Sequence, residues 1–225
     1  MTDICSCAIE DGVAVVTMCS GKVNAFDHEL LDTLSETFKG LGEDSEIKSV
    51  ILTGQEGIFS AGFDLRIMEK SLEDAEALVK SGLELLRQLY LFPKPLVVAS
   101  GGHALAMGAM ILLVADYRIG VTGQFKVGLN ETNIGMALPQ LFVEIARERI
   151  PLSMQTQAII LGLLFEPHDA RDNGFYDVMS TPEQLAAQAR DVAKDFGDYV
   201  DQKAFAENKL RHRGALLTRF PDNSV

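Results

Sequence analysis

Tryptophan is absent from the 225 residues, and all aromatic side chains together make up 7% of them. The core must therefore be filled mainly by aliphatic side chains, and at 47% hydrophobic residues there are enough of them for one sizeable core. Cysteine is nearly absent too: Cys5, Cys7 and Cys19 are the three. Two residues apart on a strand, Cys5 and Cys7 lie on one side at a spacing poor for a disulfide. An odd count without framework spacing excludes a disulfide scaffold and fits a reducing, cytoplasmic setting. Positive charge is in short supply, with 20 Lys and Arg against 32 Asp and Glu and a formal net charge of −12. A nucleic-acid partner needs a clustered basic face, so that class is excluded. Long hydrophobic runs are missing. The longest near-apolar stretch, 104–115, falls well short of the roughly 20 residues that cross a bilayer, so no membrane partner is expected. The opening MTDICSCAIEDG has no basic region followed by an apolar run and does not read as a signal peptide. The four histidines, His28, His103, His168 and His212, have no metal-ligand spacing, and no metal is expected.

What is present alternates between strand-like and helix-like segments. CSCAIE and VAVVTM flank Asp11-Gly12, a hairpin turn pair. Asp27 can cap a helix carrying Leu30, Leu31, Leu34, Phe38 and Leu41 at helical spacing. SVILTG reads as a buried strand, followed by a glycine-rich turn, QEGIFSAGFDL. Ser71 and Asp74 stand at capping-box spacing before a helix that Pro93 and Pro95 end. LVVASGG is a second buried strand, running into HALAMGAM and a helix. YRIGV is a short strand, 139–150 and 153–162 read as helices, FYDVMS as a late strand, and the segments from Thr181 and Asp201 onward as helices. This alternation predicts an α/β fold with parallel strands.

Twice a buried strand ends, small residues follow and a helix begins: VILTG…FSAGFDL and VVASGGHALAMGAM. Small residues let a ligand approach the backbone, and a helix start offers unpaired N–H groups. Two such corners side by side could aim two donors at one oxygen, an arrangement in which a single donor is worth about 3–4 kcal/mol. Downstream, VGLNETNIG holds a lone carboxylate, Glu131, among neutral residues. Such a group, if buried, has a raised pKa and is suited to proton transfer. A glycine-rich turn and a solvated glutamate are the bland readings of each piece taken alone.

Together FSAGFDL, GGHALAMGAMILLVADYRI and FKVGLNETNIGMALP resemble the enoyl-CoA hydratase/isomerase (crotonase) superfamily, over nearly the whole chain. The resemblance implies a crotonase-like ββα spiral with a C-terminal helical region, divided here into a core of 1–195 and a helical segment of 196–225 that is short for the family. It implies an acyl-CoA thioester substrate, coenzyme A being part of the substrate and no separate cofactor, and a homotrimer or hexamer. It places the oxyanion-hole N–H donors at Phe63 and Met107, with Gly108 permitting close approach. It assigns Lys22, Val23, Ala25, Ser60, Ala61, Gly62, Asp64 and Leu65 to substrate binding. Hydratases of the family use two glutamates; the first position is Met110 here, and the second matches Glu131. DYRI…GLNET is most similar to Δ3,Δ2-enoyl-CoA isomerases, which work with one glutamate.

The expectation is therefore a double-bond shift carried by Glu131, with Met110 as an apolar neighbour in the acyl site. A hydratase, a CoA-thioester hydrolase and a non-catalytic acyl-CoA-binding protein are the alternatives. CoA phosphates need local cations, for which Lys22, Arg66, Lys70, Lys209, Arg211 and Arg213 are candidates. A serine-hydrolase reading of FSAG fails on spacing, because Gly57 to Gly62 is G-x-x-S-x-G, one residue off the nucleophile elbow. His103 is expected to be structural, and Asp64 and Asp116 to cap or orient backbone.

Overall fold

The computed structural model describes residues 4–220. Its elements run β1 (Cys5–Glu10), β2 (Val13–Met18), α1 (His28–Glu43), β3 (Ser49–Thr53), β4 (Gly57–Ser60), α2 (Leu65–Met68), α3 (Leu72–Tyr90), β5 (Leu96–Ser100), β6 (Gly102–Leu105), α4 (Met107–Val114), β7 (Tyr117–Val121), β8 (Val127–Gly128), α5 (Gln140–Arg149), α6 (Pro167–Asp172), β9 (Val178–Ser180), α7 (Leu185–Tyr199) and α8 (Gln202–Arg219). The order repeats as two strands then helix: β1-β2-α1, β3-β4-α2-α3, β5-β6-α4 and β7-β8-α5.

From the second repeat on, the first strand of each unit joins one sheet and the second strand joins another. The large sheet has the order β1-β2-β3-β5-β7-β9 and the small one β4-β6-β8. Among the described strands only the β1–β2 hairpin is antiparallel; every other strand pair is parallel. Asp11 and Gly12, both at positive φ, make its turn. The central strands are apolar on both faces because both are covered. Val50, Leu52, Leu96 and Val98 pack into the main core with α1, α3 and α4. Ile51, Val97, Ala99 and Ile119 face α7, through Leu185, Ala189 and Ala193.

The helix starts follow the expected caps. Leu30 N–H donates to Asp27 Oδ1 at 2.8 Å. Asp74 N–H donates to Ser71 Oγ, whose hydroxyl donates back to Asp74 Oδ2. Three expectations need correction. The glycine-rich segments taken as turns contain the strands β4 and β6, and with β8 they form a sheet invisible to periodicity, since strands of four, four and two residues are too short to show one. The segment 153–162 is not an α-helix: it is a 3-10 turn (Leu152–Met154) and a π-helical turn (Thr156–Ile160). The expected boundary at 195/196 falls inside α7, whose buried face continues from Ala193 to Gly197.

Candidate active site

The small sheet positions the site. Its register pairs Ser60 with Ala104 and Ala104 with Val127, all parallel. Three residues beyond that row, past the ends of the adjacent strands β4 and β6, lie Phe63 and Met107; four beyond Val127 lies Glu131. Parallel strands that end together deliver their following residues to one place, the usual location of sites on such sheets.

At the first corner Gly62 turns at φ +95 and Phe63 bridges Phe26 in parallel fashion. Phe26 N–H donates to Gly62 O, and Asp64 N–H to Phe26 O. Neighbouring N–H groups in extended chain point to opposite sides, so the Phe63 N–H points away from Phe26. It has no hydrogen-bond partner among the described residues. At the second corner Ala106 is held at φ 50, ψ −121, a conformation strained for any residue with a Cβ. Its N–H is tied to Gly128 O at 3.0 Å. Met107 then opens α4, so its N–H precedes the helix's hydrogen-bond ladder and has no partner among the described residues. The corners touch: a Cβ on Gly62 would lie 2.8 Å from Ala106 Cβ and 3.5 Å from Met107 N.

Both corners border an apolar cavity of about 340 Å³, whose wall includes Ala61, Phe63, Leu65, Ala106 and Glu131. Glu131 begins the 3-10 turn Glu131–Ile134 and is 6% exposed. Its Oε2 is buried and accepts no hydrogen bond among the described residues. Burial pushes its carboxyl up to about 7, against a small opposing effect of its own backbone N–H. Asn130, beside it in the wall, also has a buried, unpaired Oδ1. Glu76 of α3 is the other carboxylate of the wall, at its exposed rim.

Several residues assigned to substrate binding have structural work of their own. Ser60 is fully buried, donating to Asn24 O and accepting from Gly62 N–H, which also removes it as a nucleophile. Asp64 caps α2 by accepting from Arg66 N–H and pairs with the Arg66 side chain, which holds its carboxyl below the usual range. Gly108 sits where α4 meets β4: a Cβ there would be 2.8 Å from Ser60 O. Met110 does not line the cavity. It faces the core of a helix buried all round, with no exposed surface. Lys22 and Val23 are exposed and Ala25 half-buried, on the loop before α1, outside the cavity wall. That loop is joined to the first corner, since Ala61 N–H donates to Val23 O.

The candidate cations fare differently from one another. Arg66 and Lys70 pair with Asp64 and Asp74. Lys209 and Arg213 are not a solvated phosphate cluster: their four-residue spacing puts both on the inner face of α8, buried against Asp116. Arg211, on the outer face, pairs with Glu207. His103 is structural, accepting from Lys126 N–H and packing edge-on against Phe125. Asp116 also accepts from Leu96 N–H, as a backbone-orienting role requires.

Sequence reasoning passed over three positions. Asn24, buried at positive φ, donates to Met18 O and Phe59 O and fastens the loop before α1 to β4. Gly82 leaves room on α3 for the Phe63 ring, 2.5 Å from where its Cβ would be; a glycine inside a helical pattern was the available signal. Ala106 carries the strain that aims Met107, and nothing in an alanine advertises that.

A spiral of ββα units whose two strand-to-helix corners and one buried carboxyl border a single apolar cavity is a frame suited to acyl groups. Residues 8–213 match the enoyl-CoA hydratase/isomerase family, and the chain belongs to it, with the crotonase-like fold and an acyl-CoA substrate. Within that family it is similar to human mitochondrial enoyl-CoA delta isomerase 1, at 34% identity over 222 residues, covering 93% of this chain and 74% of that protein. The solved structure of a Pseudomonas syringae enoyl-CoA hydratase/isomerase family protein is 39% identical with a TM-score of 0.92, covering 96% of this chain and 93% of that one. That of human mitochondrial delta3-delta2-enoyl-CoA isomerase is 30% identical with a TM-score of 0.92, covering 96% and 86%.

Proposed function

We propose that the protein shifts a carbon–carbon double bond in an enoyl-CoA from C3=C4 to C2=C3, with Glu131 as the one proton carrier. The observation that carries this reading is a buried carboxyl whose Oε2 has no hydrogen-bond partner among the described residues, its pKa raised to about 7, in the cavity bordered by the two corners that hold the unpartnered N–H groups of Phe63 and Met107. Glu131 takes a proton from C2. The electron pair moves onto the thioester oxygen, where the N–H groups of Phe63 and Met107 hold the negative charge. The dienolate collapses as the same carboxyl returns the proton to C4, so no proton is gained or lost. A base with a pKa near the working pH suits both half-reactions.

Hydration needs a water activated and held, in this family by a second carboxylate. The matching position is Met110, sealed in the core, and Glu76 lies at the exposed rim. Glu131→Gln tests the reading, since it keeps the shape and removes the base. Turnover of a 3-enoyl-CoA should fall by about 10²–10⁴-fold, while a saturated acyl-CoA binds as before. Full-rate isomerisation by the variant, or wild-type protein that hydrates a 2-enoyl-CoA faster than it isomerises, would sink the assignment.

A homotrimer or hexamer is proposed with it. The exposed apolar residues Leu152, Ile160, Leu161 and Leu163 support association through the segment before α6, and light scattering giving a clean monomer would count against it. Among the described residues no helix is long and apolar enough to cross a membrane. The free thiols of Cys5, Cys7 and Cys19 support a reducing, cytoplasmic setting.

A further inference from the structure

The face of α3 that lines the cavity is Leu72, Ala75, Glu76 and Val79, the i, i+3, i+4, i+7 stripe of one helix side. Three of the four are apolar, as a cavity wall requires. Glu76 breaks the stripe in its middle. It forms no ion pair and no hydrogen bond among the described residues, and Lys80, four residues on along α3, is not paired with it. Its surroundings in the wall are apolar: Leu72 one turn before, Val79 one turn after, and Met68 on α2. Glu73, one position off the stripe, is as exposed and is absent from the wall. A carboxylate that interrupts an apolar binding face without a structural partner is a departure from pattern of the kind that marks function.

We infer that Glu76 is a specificity-determining residue, selecting acyl chains that are neutral at their far end against chains ending in a second carboxylate. The chemistry is like-charge repulsion at the edge of a low-dielectric cavity. Even in a water-like dielectric, two like charges 4 Å apart cost about 1 kcal/mol, roughly a fivefold change in affinity, and more where water is displaced. An apolar tail meets no such penalty and is covered by Leu72 and Val79. The inference rests on the acyl-CoA reading of the cavity and adds the class of acyl group.

Affinities of saturated esters measure it without turnover. Hexanoyl-, octanoyl- and decanoyl-CoA would be compared by calorimetry with the ω-carboxy esters of equal length. Proteins would be the wild type, Glu76→Gln, Glu76→Lys and, as a control for general charge, Glu73→Gln. Plain desolvation of the ω-carboxylate would also disfavour it, so the decisive quantity is the change in preference between proteins. At the length whose end reaches Glu76, the preference for the neutral ester should shrink at least about fivefold in Glu76→Gln. It should shrink further or reverse in Glu76→Lys and stay unchanged in Glu73→Gln. A preference that is the same in all four proteins, or that moves equally with Glu73→Gln, overturns the inference, as does failure of every ester to bind. Loss of the isomerase reading would show separately, as Glu131→Gln retaining full turnover, and would leave these affinities untouched.

Discussion

The burial that suits Glu131 to its proposed role as base costs stability. Its carboxyl titrates at about 7 in the folded protein and at the ordinary 4.5 when unfolded. Between those values the folded chain keeps a proton that the unfolded chain has released. The stabilisation from this group is therefore complete below pH 4.5 and is lost as pH rises through 7. The gap corresponds to roughly 3 kcal/mol. Glu131→Gln, which cannot ionise, should raise stability toward denaturant by an amount of that order at pH 8 and leave it nearly unchanged at pH 4.5. Activity has the opposite slope: kcat/KM on a 3-enoyl-CoA should rise with pH through about 7, as the base form of Glu131 accumulates. A flat profile between pH 5.5 and 8.5 would remove Glu131 as the base. Met110→Glu should not confer hydration, because the new carboxylate would enter a fully buried helix face; a lowered melting temperature is the expected result.

At the scale of elements, the proposed oxyanion donors depend on how closely α4 is seated against β4. A Cβ on residue 108 would be 2.8 Å from Ser60 O and 2.9 Å from Ser60 Cβ, atoms of a strand that cannot yield. Gly108→Ala must therefore push the start of α4 away, and the Met107 N–H with it. A misplacement of about 1 Å can cost about 100-fold in rate. The variant should lose kcat by tenfold or more, with KM for the acyl-CoA changed much less. Gly82→Ala makes a useful contrast. Its Cβ would meet the outer edge of the half-buried Phe63 ring, side-chain rather than backbone atoms. The ring displacement should alter the cavity wall and so KM more than kcat. Equal kinetic signatures for the two variants would show that α4 seating does not set the donor.

Across the whole molecule, α8 is fastened to the core by buried charge. Lys209 Nζ lies 2.7 Å from Asp116 Oδ2 and Arg213 Nη2 3.0 Å from Asp116 Oδ1. Arg213 also donates to Tyr90 O and Val114 O, reaching the C-terminal end of α4. Burial holds Lys209 down to about 8 despite its acidic partner. Removing that partner leaves two cations buried together, so Asp116→Asn should cost about 3–5 kcal/mol in chemical denaturation. Arg211→Ala, which breaks only the exposed pair with Glu207, should cost less than about 1 kcal/mol. Comparable losses for the two would mean that α8 is held by its apolar contacts alone.

The sequence by itself determined the alternation of strands and helices, the caps at Asp27 and Ser71, and the identity of the lone carboxylate at 131. Those features are local: periodicity, capping chemistry and turn residues act within a few positions and are written in consecutive letters. Resemblance to the family carried Phe63 and Met107 as donors. The tertiary structure decided what local pattern cannot hold. Three strands too short for periodicity make the small sheet, and their register brings the residues after Ser60, Ala104 and Val127 together. Helix α8 folds back, so Lys209 and Arg213 become buried partners of Asp116 rather than a phosphate site. Packing of α4 on all sides takes Met110 out of the cavity. Each outcome depends on contacts between residues tens of positions apart, and burial, the quantity that separates a poised glutamate from a solvated one, exists only after those contacts form.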